Sequence, residues 1–233
     1  MKKSGDWWIC DEEQNMMKYT EVAKRGDPSW QGNFPLYLNK FVPEDKRGVF
    51  VDIGANYGFM VTAMSKFYNR VEAFEVIPKT FDCLKLNCEG FDNVVLHDCG
   101  LGKSNDKMYA KRRKKTAGHS QIINDQQQLD LYLSGKHPKQ HMVEIVEIPI
   151  KTLDSFNYDR IDLMKIDVEG FEEFVLAGAE KTIKRCKPVI ALEVTREKKT
   201  TVKRSNIDTV KLVESWGYKF VEQRKDDYML IPQ

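Results

Sequence analysis

Apolar runs long enough to cross a bilayer are missing from this chain, and its first apolar stretch, "WWIC" at 7–10, is too short for the core of a secretion signal. No Asn-x-Ser/Thr sequon occurs either. A soluble, cytoplasmic protein without a membrane partner is the expectation. None of the five cysteines (Cys10, Cys83, Cys88, Cys99 and Cys186) forms a CxxC pair, and the odd number leaves one over in any disulfide scheme. Cys83 and Cys88 fall in one expected helix, where five positions of separation turn them about 140° apart. Reduced, mostly buried thiols are therefore expected. Zinc-type spacing of His and Cys is absent, and so is any internal repeat. Charge of one sign is also lacking: 37 Lys and Arg stand against 35 Asp and Glu, for a net +2. Wholesale attraction to nucleic acid is not expected from such a balance.

What is present is enough chain, 233 residues, to bury the core of one domain of fair size. The first 47 residues are irregular and rich in aromatics, among them Trp7, Trp8, Tyr19, Phe34 and Tyr37. They read as a cap segment, with a short helix opening at Pro35. From Gly48 a beat of strand and helix begins. "GVFVDI" reads as a strand, "FMVTAMSKFY" as a helix and "VEAFEV" as a strand. Pro78 opens a helix, and "NVVLH" is a third strand. The beat stops over 103–142, which is polar and carries the basic run "KRRKK" at 111–115. A stretch of that length within a compact domain reads as a functional insertion, here a flap over the site. After "VEIVEIPI" the rhythm resumes, with "IDLMKID" as a strand and "EGFEEFVLAGAEKTIKR" as one helix. "PVIALEV" is the next strand, "NIDTVKLVESW" a last helix closed by Gly217, and a hairpin ends the chain around "QRKDD". Strands apolar on both faces and alternating with helices imply an α/β, doubly wound sheet with its site at the carboxyl ends of the strands.

One such strand runs into "VDIGANYGF", an acidic residue followed by two glycines. A dinucleotide fingerprint starting at Gly54 would need glycine at 56 and 59, where Asn56 and Phe59 stand. A phosphate loop ending in "GKS" at 102–104 would need glycine at 97, which is His97. A nucleoside cofactor without phosphates remains. It needs a tight turn, amide donors for a carboxylate, and an acid for a ribose. Glu75, at the end of the next strand, supplies the last. S-adenosylmethionine meets these requirements.

"VDIGANYGF", "VEAFEVIP", "NVVLHDCGLG", "TLDSF", "IDLMKIDVEGFEEFVLAGAEKTI" and "PVIALEV" fall in the order and spacing of FkbM-type methyltransferases, which the chain resembles over roughly residues 48–195. "WWI", "SWQGN" and "KDDYML" resemble a compact, phage-associated branch. The resemblance implies a class I, Rossmann-like methyltransferase domain over 48–233: seven strands with the last antiparallel, plus an extra β/loop insertion. It also implies S-adenosylmethionine and O-methylation. Carried across residue by residue, Gly54 and Gly58 line the methionine end, with Ala55 and Asn56 between them. Asp52 holds the ammonium, and Glu75, followed by Val76, takes the ribose. Asp98, Cys99 and Gly100 hold the adenine, and Asp167 faces the methyl.

A hydroxyl acceptor needs a base, and the candidates in order are Asp167, Glu193 and His119. Against them stand plainer readings. Glu169 at a helix start reads as a capping group, Lys165 as a counter-charge to Asp167 or Glu193, and Asp154 as a turn residue. His97 reads as packing, His137 and His141 as surface residues, His119 as a loop histidine, and both basic runs as solvated loop charge. No metal ligand set stands out, so transfer without a divalent ion is expected. The acceptor reads as a small molecule or glycan. An anionic acceptor, or RNA gripped by "KRRKK" and by "REKKTTVKR" at 196–204, stays open, as does cofactor binding without turnover.

Overall fold

The computed structural model describes residues 1–21, 23–194 and 206–233. A hairpin of β1 (Lys2–Ser4) and β2 (Trp7–Ile9) opens the chain and leads to α1 (Met17–Thr20) and α2 (Trp30–Leu38). Pro35 lies inside α2 instead of opening it, two residues after Asn33, whose φ of 65° breaks the right-handed run. The beat follows as β3 (Val49–Ile53), α3 (Phe59–Met64), β4 (Arg70–Phe74), α4 (Pro78–Asn87) and β5 (Val94–His97). Next come β6 (Gly100–Leu101), β7 (Asp106–Arg113), β8 (Gln121–Ile123), α5 (Gln126–Leu133) and β9 (Val143–Lys151). The chain ends with β10 (Leu163–Ile166), α6 (Glu172–Ala177), α7 (Glu180–Cys186), β11 (Val189–Glu193), α8 (Asn206–Glu214), β12 (Tyr218–Arg224) and β13 (Asp227–Pro232).

Seven strands make the main sheet, in the order β12-β13-β11-β10-β3-β4-β5. All are parallel except β13, which pairs antiparallel with both β11 and β12. The order reverses between β3 and β10, and that switch point opens a crevice at their carboxyl ends. Period-two alternation explains why these strands read as apolar throughout. Val51, Ile53, Met164, Ile166 and Leu192 pack one face against Val175, Leu176 and Ile183. Phe50, Ala73, Leu163, Ala191 and Met229 pack the other against Met60, Met64 and Leu84. Each such buried side chain contributes about 1.5–3 kcal/mol, and burial on both faces leaves the strands no polar side.

The segment 103–142 holds the strands of the β/loop insertion that the resemblance implied. It supplies two strands, β7 and β8, of a second sheet ordered β6-β9-β7-β8. Along β7, Met108, Ala110 and Arg112 alternate with Lys107, Tyr109 and Lys111. Ala110 joins Ile77, Ile148 and Ile150 in a small core, while Tyr109 packs with Tyr132 and Ile145 under α5. The expected single helix over 169–185 is broken into α6 and α7 at Gly178. A Cβ there would stand 1.9 Å from the Gly102 carbonyl oxygen, so the backbone of the β6 loop leaves room for glycine alone. All five cysteines are free, four of them buried. No helix among the described residues is long and apolar enough to cross a membrane.

Candidate active site

β3 ends in a turn that main-chain bonds fix. The amides of Gly54 and Ala55 both donate to the Phe74 carbonyl, at 3.0 and 2.9 Å, so the glycine turn is pinned to the end of β4. Gly54 has φ +91°, and a Cβ on it would lie 1.9 Å from the Asp167 carbonyl oxygen. The first glycine is thus required by close approach of β10 as well as by its backbone angle. Gly58, at φ +88°, then leads into α3. Glu75 follows Phe74 and is 8% exposed. Its carboxylate accepts from the Asn56 amide at 2.9 Å and the Ile77 amide at 2.7 Å. Burial pushes it up to about 7 against the pull of these amides.

Side chains two apart on a strand share a face, so Asp52 on β3 and Lys165 and Asp167 along β10 come together. Lys165 Nζ bonds Asp167 Oδ2 at 2.8 Å and lies 3.9 Å from Asp52 Oδ1. Burial opposes the charge on Asp167, but the Lys165 ammonium holds its carboxyl below the usual range. Lys165 is held above its own range, its two carboxylate neighbours outweighing burial. Asp52 is 1% exposed and neither of its oxygens has a hydrogen-bond partner. Burial pushes it up to about 6. Glu193 ends β11 beside Asp167, and burial together with that neighbour raises it to about 10.

These groups wall one cavity of about 390 Å³. Gly54, Ala55, Asn56, Glu75, Val76, Cys99 and Gly100 line its first half. Asp98 does not join them: it is exposed, and Cys99, Gly100 and Leu101 form the wall there. Gly58 stands behind the turn, its Cα side facing Leu84 and Cys88. The second half is lined by Asp167, Glu193 and His119, joined by Asn15, Met16, Lys18 and Tyr19 from the N-terminal segment. His119 sits exposed at the mouth on a short 3-10 turn, close enough to Asp167 to favour its charge.

Two plainer readings need correction. Glu169 is not the cap: α6 begins at Glu172 with no side-chain cap, and Glu172 itself accepts from the loop amides of Val168 and Gly170 at 3.2 and 3.0 Å. Glu169 has φ 55° and lines the cavity, where burial and Asp167 raise it to about 7. Left-handed backbone at a non-glycine residue is costly, by about 1 kcal/mol or more, and concentrates at functional sites. "KRRKK" is not a solvated loop run either. Lys111, Arg112 and Arg113 belong to β7, and Arg112, 1% exposed, bonds Glu144 at 3.0 Å and Glu12 at 3.1 Å. The second basic run, 196–204, lies outside the described residues. His97 packs as expected, stacked on Phe74 with ring centroids 4.3 Å apart and bonded to Glu72 at 2.6 Å. Asp154 caps α7 through the amides of Lys181 and Thr182.

Sequence reasoning passed over Asp227, which lines the cavity at the start of β13, directly opposite Glu193 in the register. The signal was the terminal hairpin itself, since pairing "PVIALEV" antiparallel with "DYMLIP" places an acid at each strand end. Among the described residues, no group of three or more His, Cys, Asp or Glu is arranged to hold a metal ion.

Comparison with known proteins bears on this geometry. Methyltransferase 1 of Beauveria bassiana (strain ARSEF 2860) is 28% identical over 151 residues, which cover 59% of this chain and 60% of that protein. The chain thus spans less than two thirds of that relative's length. A solved FkbM methyltransferase from Methylobacillus flagellatus KT is similar at 16% identity with a TM-score of 0.46, covering 85% of this chain and 50% of the other. A candidate rRNA methylase from Clostridium thermocellum shares the fold at 10% identity, with a TM-score of 0.51 over 90% of this chain and 95% of the other. The methyltransferase FkbM domain matches residues 52–220, most of the chain and all of the elements that build the cavity's first half. This chain belongs to the FkbM methyltransferase family.

Proposed function

We propose that the chain transfers a methyl group from S-adenosylmethionine to an oxygen of a small hydroxylated acceptor such as a sugar. One observation carries the cofactor: Asp52, 1% exposed in the cavity wall, has no hydrogen bond to either oxygen, and its nearest cation, Lys165 at 3.9 Å, is bonded to Asp167. A buried carboxylate whose hydrogen bonds are unmade costs about 1–3 kcal/mol or more. A ligand ammonium answers that need, and Glu75 keeps lone pairs beyond its two amide bonds for a pair of ribose hydroxyls. When bound, S-adenosylmethionine supplies an electrophilic methyl on a sulfonium.

The residues of the second half divide the remaining work. Lys165 keeps Asp167 ionised, and that engagement makes Asp167 a weak base. Glu193 holds a proton at neutral pH and is a hydrogen-bond donor there. His119, beside Asp167 at the mouth, is left to accept the acceptor's proton through a ring nitrogen, with Asp167 stabilising the imidazolium that forms. Walls from the N-terminal segment and the second sheet exclude water around the reacting atoms.

The test uses labelled S-adenosylmethionine with hydroxylated acceptors, reading S-adenosylhomocysteine and the methylated atom by mass spectrometry. Transfer only to nitrogen or carbon would remove the oxygen reading. His119→Ala should lower kcat by about 10²–10⁴-fold while leaving S-adenosylhomocysteine affinity unchanged. Unchanged kcat would hand the role of base to another group.

A further inference from the structure

The basic run at 111–115 has no part in the transfer described above, yet the fold gives its residues separate places. Arg112 is spent inward on Glu144 and Glu12. Lys111 and Arg113, two apart on β7, share the opposite face. Lys111 is half-buried there, opposite Gln121 in the register of β7 and β8. After α5 the chain returns to the same place. The Lys136 and His137 amides both donate to the Leu131 carbonyl at 3.0 Å, and His137 stacks on Tyr132 with ring centroids 3.8 Å apart. His137 Nδ1 accepts from the Lys139 amide at 3.1 Å. The Lys114 amide donates to the Met142 carbonyl and its ammonium to the His141 carbonyl, both at 3.3 Å, which ties this turn to the end of β7. Lys139 is thereby close enough for its charge to act on Lys111.

Three cations meet at this point, and the protein supplies no counter-charge. Burial and the charges of Arg113 and Lys139 push the Lys111 ammonium below its usual range, with no carboxylate to oppose them. Among the described residues none of the three side chains forms an ion pair. The acids of the surrounding segment are engaged elsewhere. Asp125 caps α5 through the Gln128 amide, Asp130 accepts from Gln126, Glu144 takes Arg112 and Lys79, and Glu147 takes Lys107. Residues 195–205, which lie outside the described ones, hold Glu197 against five Lys and Arg, so their sequence adds more positive charge than negative. Two ammonium groups and a guanidinium without a carboxylate are a donor set for a dianion such as phosphate.

The cluster adjoins the cavity. Gln121, opposite Lys111, lines the cavity and donates through Nε2 to the Glu169 carbonyl at 2.9 Å. The Arg113 amide donates to Oγ of Ser120, which lines the cavity next to His119. Arg113 favours the charge on Glu169, but burial and the Asp167 and Glu172 carboxylates still hold that group up at about 7, so it is only a partial counter-charge.

We infer that the acceptor carries a phosphate, which Lys111, Arg113 and Lys139 hold at the cavity mouth while its hydroxyl reaches His119. The inference rests on the methyltransferase reading above. One phosphate suits the site better than a nucleic-acid strand, because the three cations converge on one place instead of tracking a backbone.

The test saturates the full chain with S-adenosylhomocysteine and titrates it with glucose 6-phosphate, glucose, inorganic phosphate and a single-stranded oligoribonucleotide. Dissociation constants are read by ligand-observed NMR. Glucose 6-phosphate should bind about tenfold or more tighter than glucose, the expected gain from hydrogen bonds to charged groups. Inorganic phosphate should compete with it, and added salt should weaken both. Lys111→Gln should cut glucose 6-phosphate affinity about tenfold, and Lys139→Glu about threefold or more, with glucose binding unchanged. Lys107→Gln, at the other end of β7 and paired with Glu147, should leave phosphate binding as it was. S-adenosylhomocysteine affinity within about twofold of the parent checks that each variant folds. Equal binding of glucose and glucose 6-phosphate, or an equal loss in the Lys107 and Lys111 variants, overturns the inference. Tighter binding of the oligoribonucleotide than of glucose 6-phosphate overturns it too, in favour of a nucleic-acid surface. Failure of S-adenosylhomocysteine to bind overturns the methyltransferase reading and, with it, the assignment of this site to an acceptor. Intact cofactor binding without a phosphate preference overturns this inference alone.

Discussion

On one side of the cavity the wall is main chain tied to main chain, and on the other it is side chains from three separate segments. Gly54 and Ala55 donate to Phe74, Asp167 donates to Ile53 at 3.0 Å, and Glu75 donates to His97 at 3.1 Å, so the cofactor half is an extension of the central sheet. Across from it stand Lys18 and Tyr19, then His119 and Gln121, then Glu169. Side-chain and loop bonds join these segments, among them Arg112 to Glu12 and Glu144, the Gln14 amide to the Lys115 carbonyl at 3.1 Å, and Gln121 Nε2 to the Glu169 carbonyl at 2.9 Å, while the N-terminal segment is anchored to the central domain through Asn87, Tyr57 and the Trp7–Phe59 stack. A ligand of fixed shape suits the first construction. Walls assembled from separate segments open locally at lower cost than a wall continuous with the sheet.

The comparison breaks most sharply at Gly54. Alanine there must place a methyl 1.9 Å from the Asp167 carbonyl oxygen while holding φ near +91°. Overpacking and left-handed strain each cost about 1–3 kcal/mol, so Gly54→Ala should lose about 3 kcal/mol or more of stability. Cofactor binding should vanish with it. Denaturant unfolding and S-adenosylhomocysteine calorimetry check both, and parent-like values would mean that β10 does not press on the turn.

The same contrast explains what could be read beforehand. Glycines at positive φ, acids at strand ends and strands apolar on both faces are local signals, and they carried the glycine turn, Glu75 beside it and the doubly wound main sheet with its last strand antiparallel. Asp98 misled because proximity to the third strand does not say which way a side chain turns. β7 stayed hidden for a different reason. Its inward positions are Met108, Ala110 and Arg112, and a buried arginine balanced by Glu12 and Glu144 looks in the sequence like solvated charge. The partners of Arg112 come from residues far away in the chain, so no window of the sequence contains the bond.

Arg112 is the point at which the acceptor half should yield. Its guanidinium is 1% exposed, yet Glu12 and Glu144 are 45% and 35% exposed, so water screens the carboxylate ends of both pairs. Arg112→Met keeps the apolar stem and removes the two bonds, and should cost about 1–3 kcal/mol. The cofactor half shares none of these bonds. Acceptor KM should therefore rise several-fold, roughly as one lost charged hydrogen bond would give, while S-adenosylhomocysteine affinity holds. A fall in cofactor affinity equal to the fall for acceptor would show that the halves are one unit and erase the comparison.

The smallest effect concerns protons and sharpens the cofactor side. Glu75 is pushed from an ordinary 4.5 to about 7 by burial, and Asp52 from 3.8 to about 6. Between about pH 4 and pH 7 the folded chain thus keeps protons at these two groups that the unfolded chain has released. Their contribution to stability is present at the acid end and is lost as pH rises through that window. Cofactor binding runs the other way, because an ammonium beside Asp52 and hydroxyl donors at Glu75 both favour the ionised carboxylates. Affinity for S-adenosylhomocysteine should rise with pH from about 5 to 7 and level off above, by at most about tenfold per pH unit for each proton released. Calorimetry in buffers of different ionisation enthalpy counts those protons directly. Glu75→Gln, which cannot titrate, should bind more weakly and release fewer protons, leaving the share that belongs to Asp52. Flat affinity across the window in the parent chain would mean that neither carboxylate meets the ligand, and the second half of the cavity would become the place to look for the cofactor's ammonium.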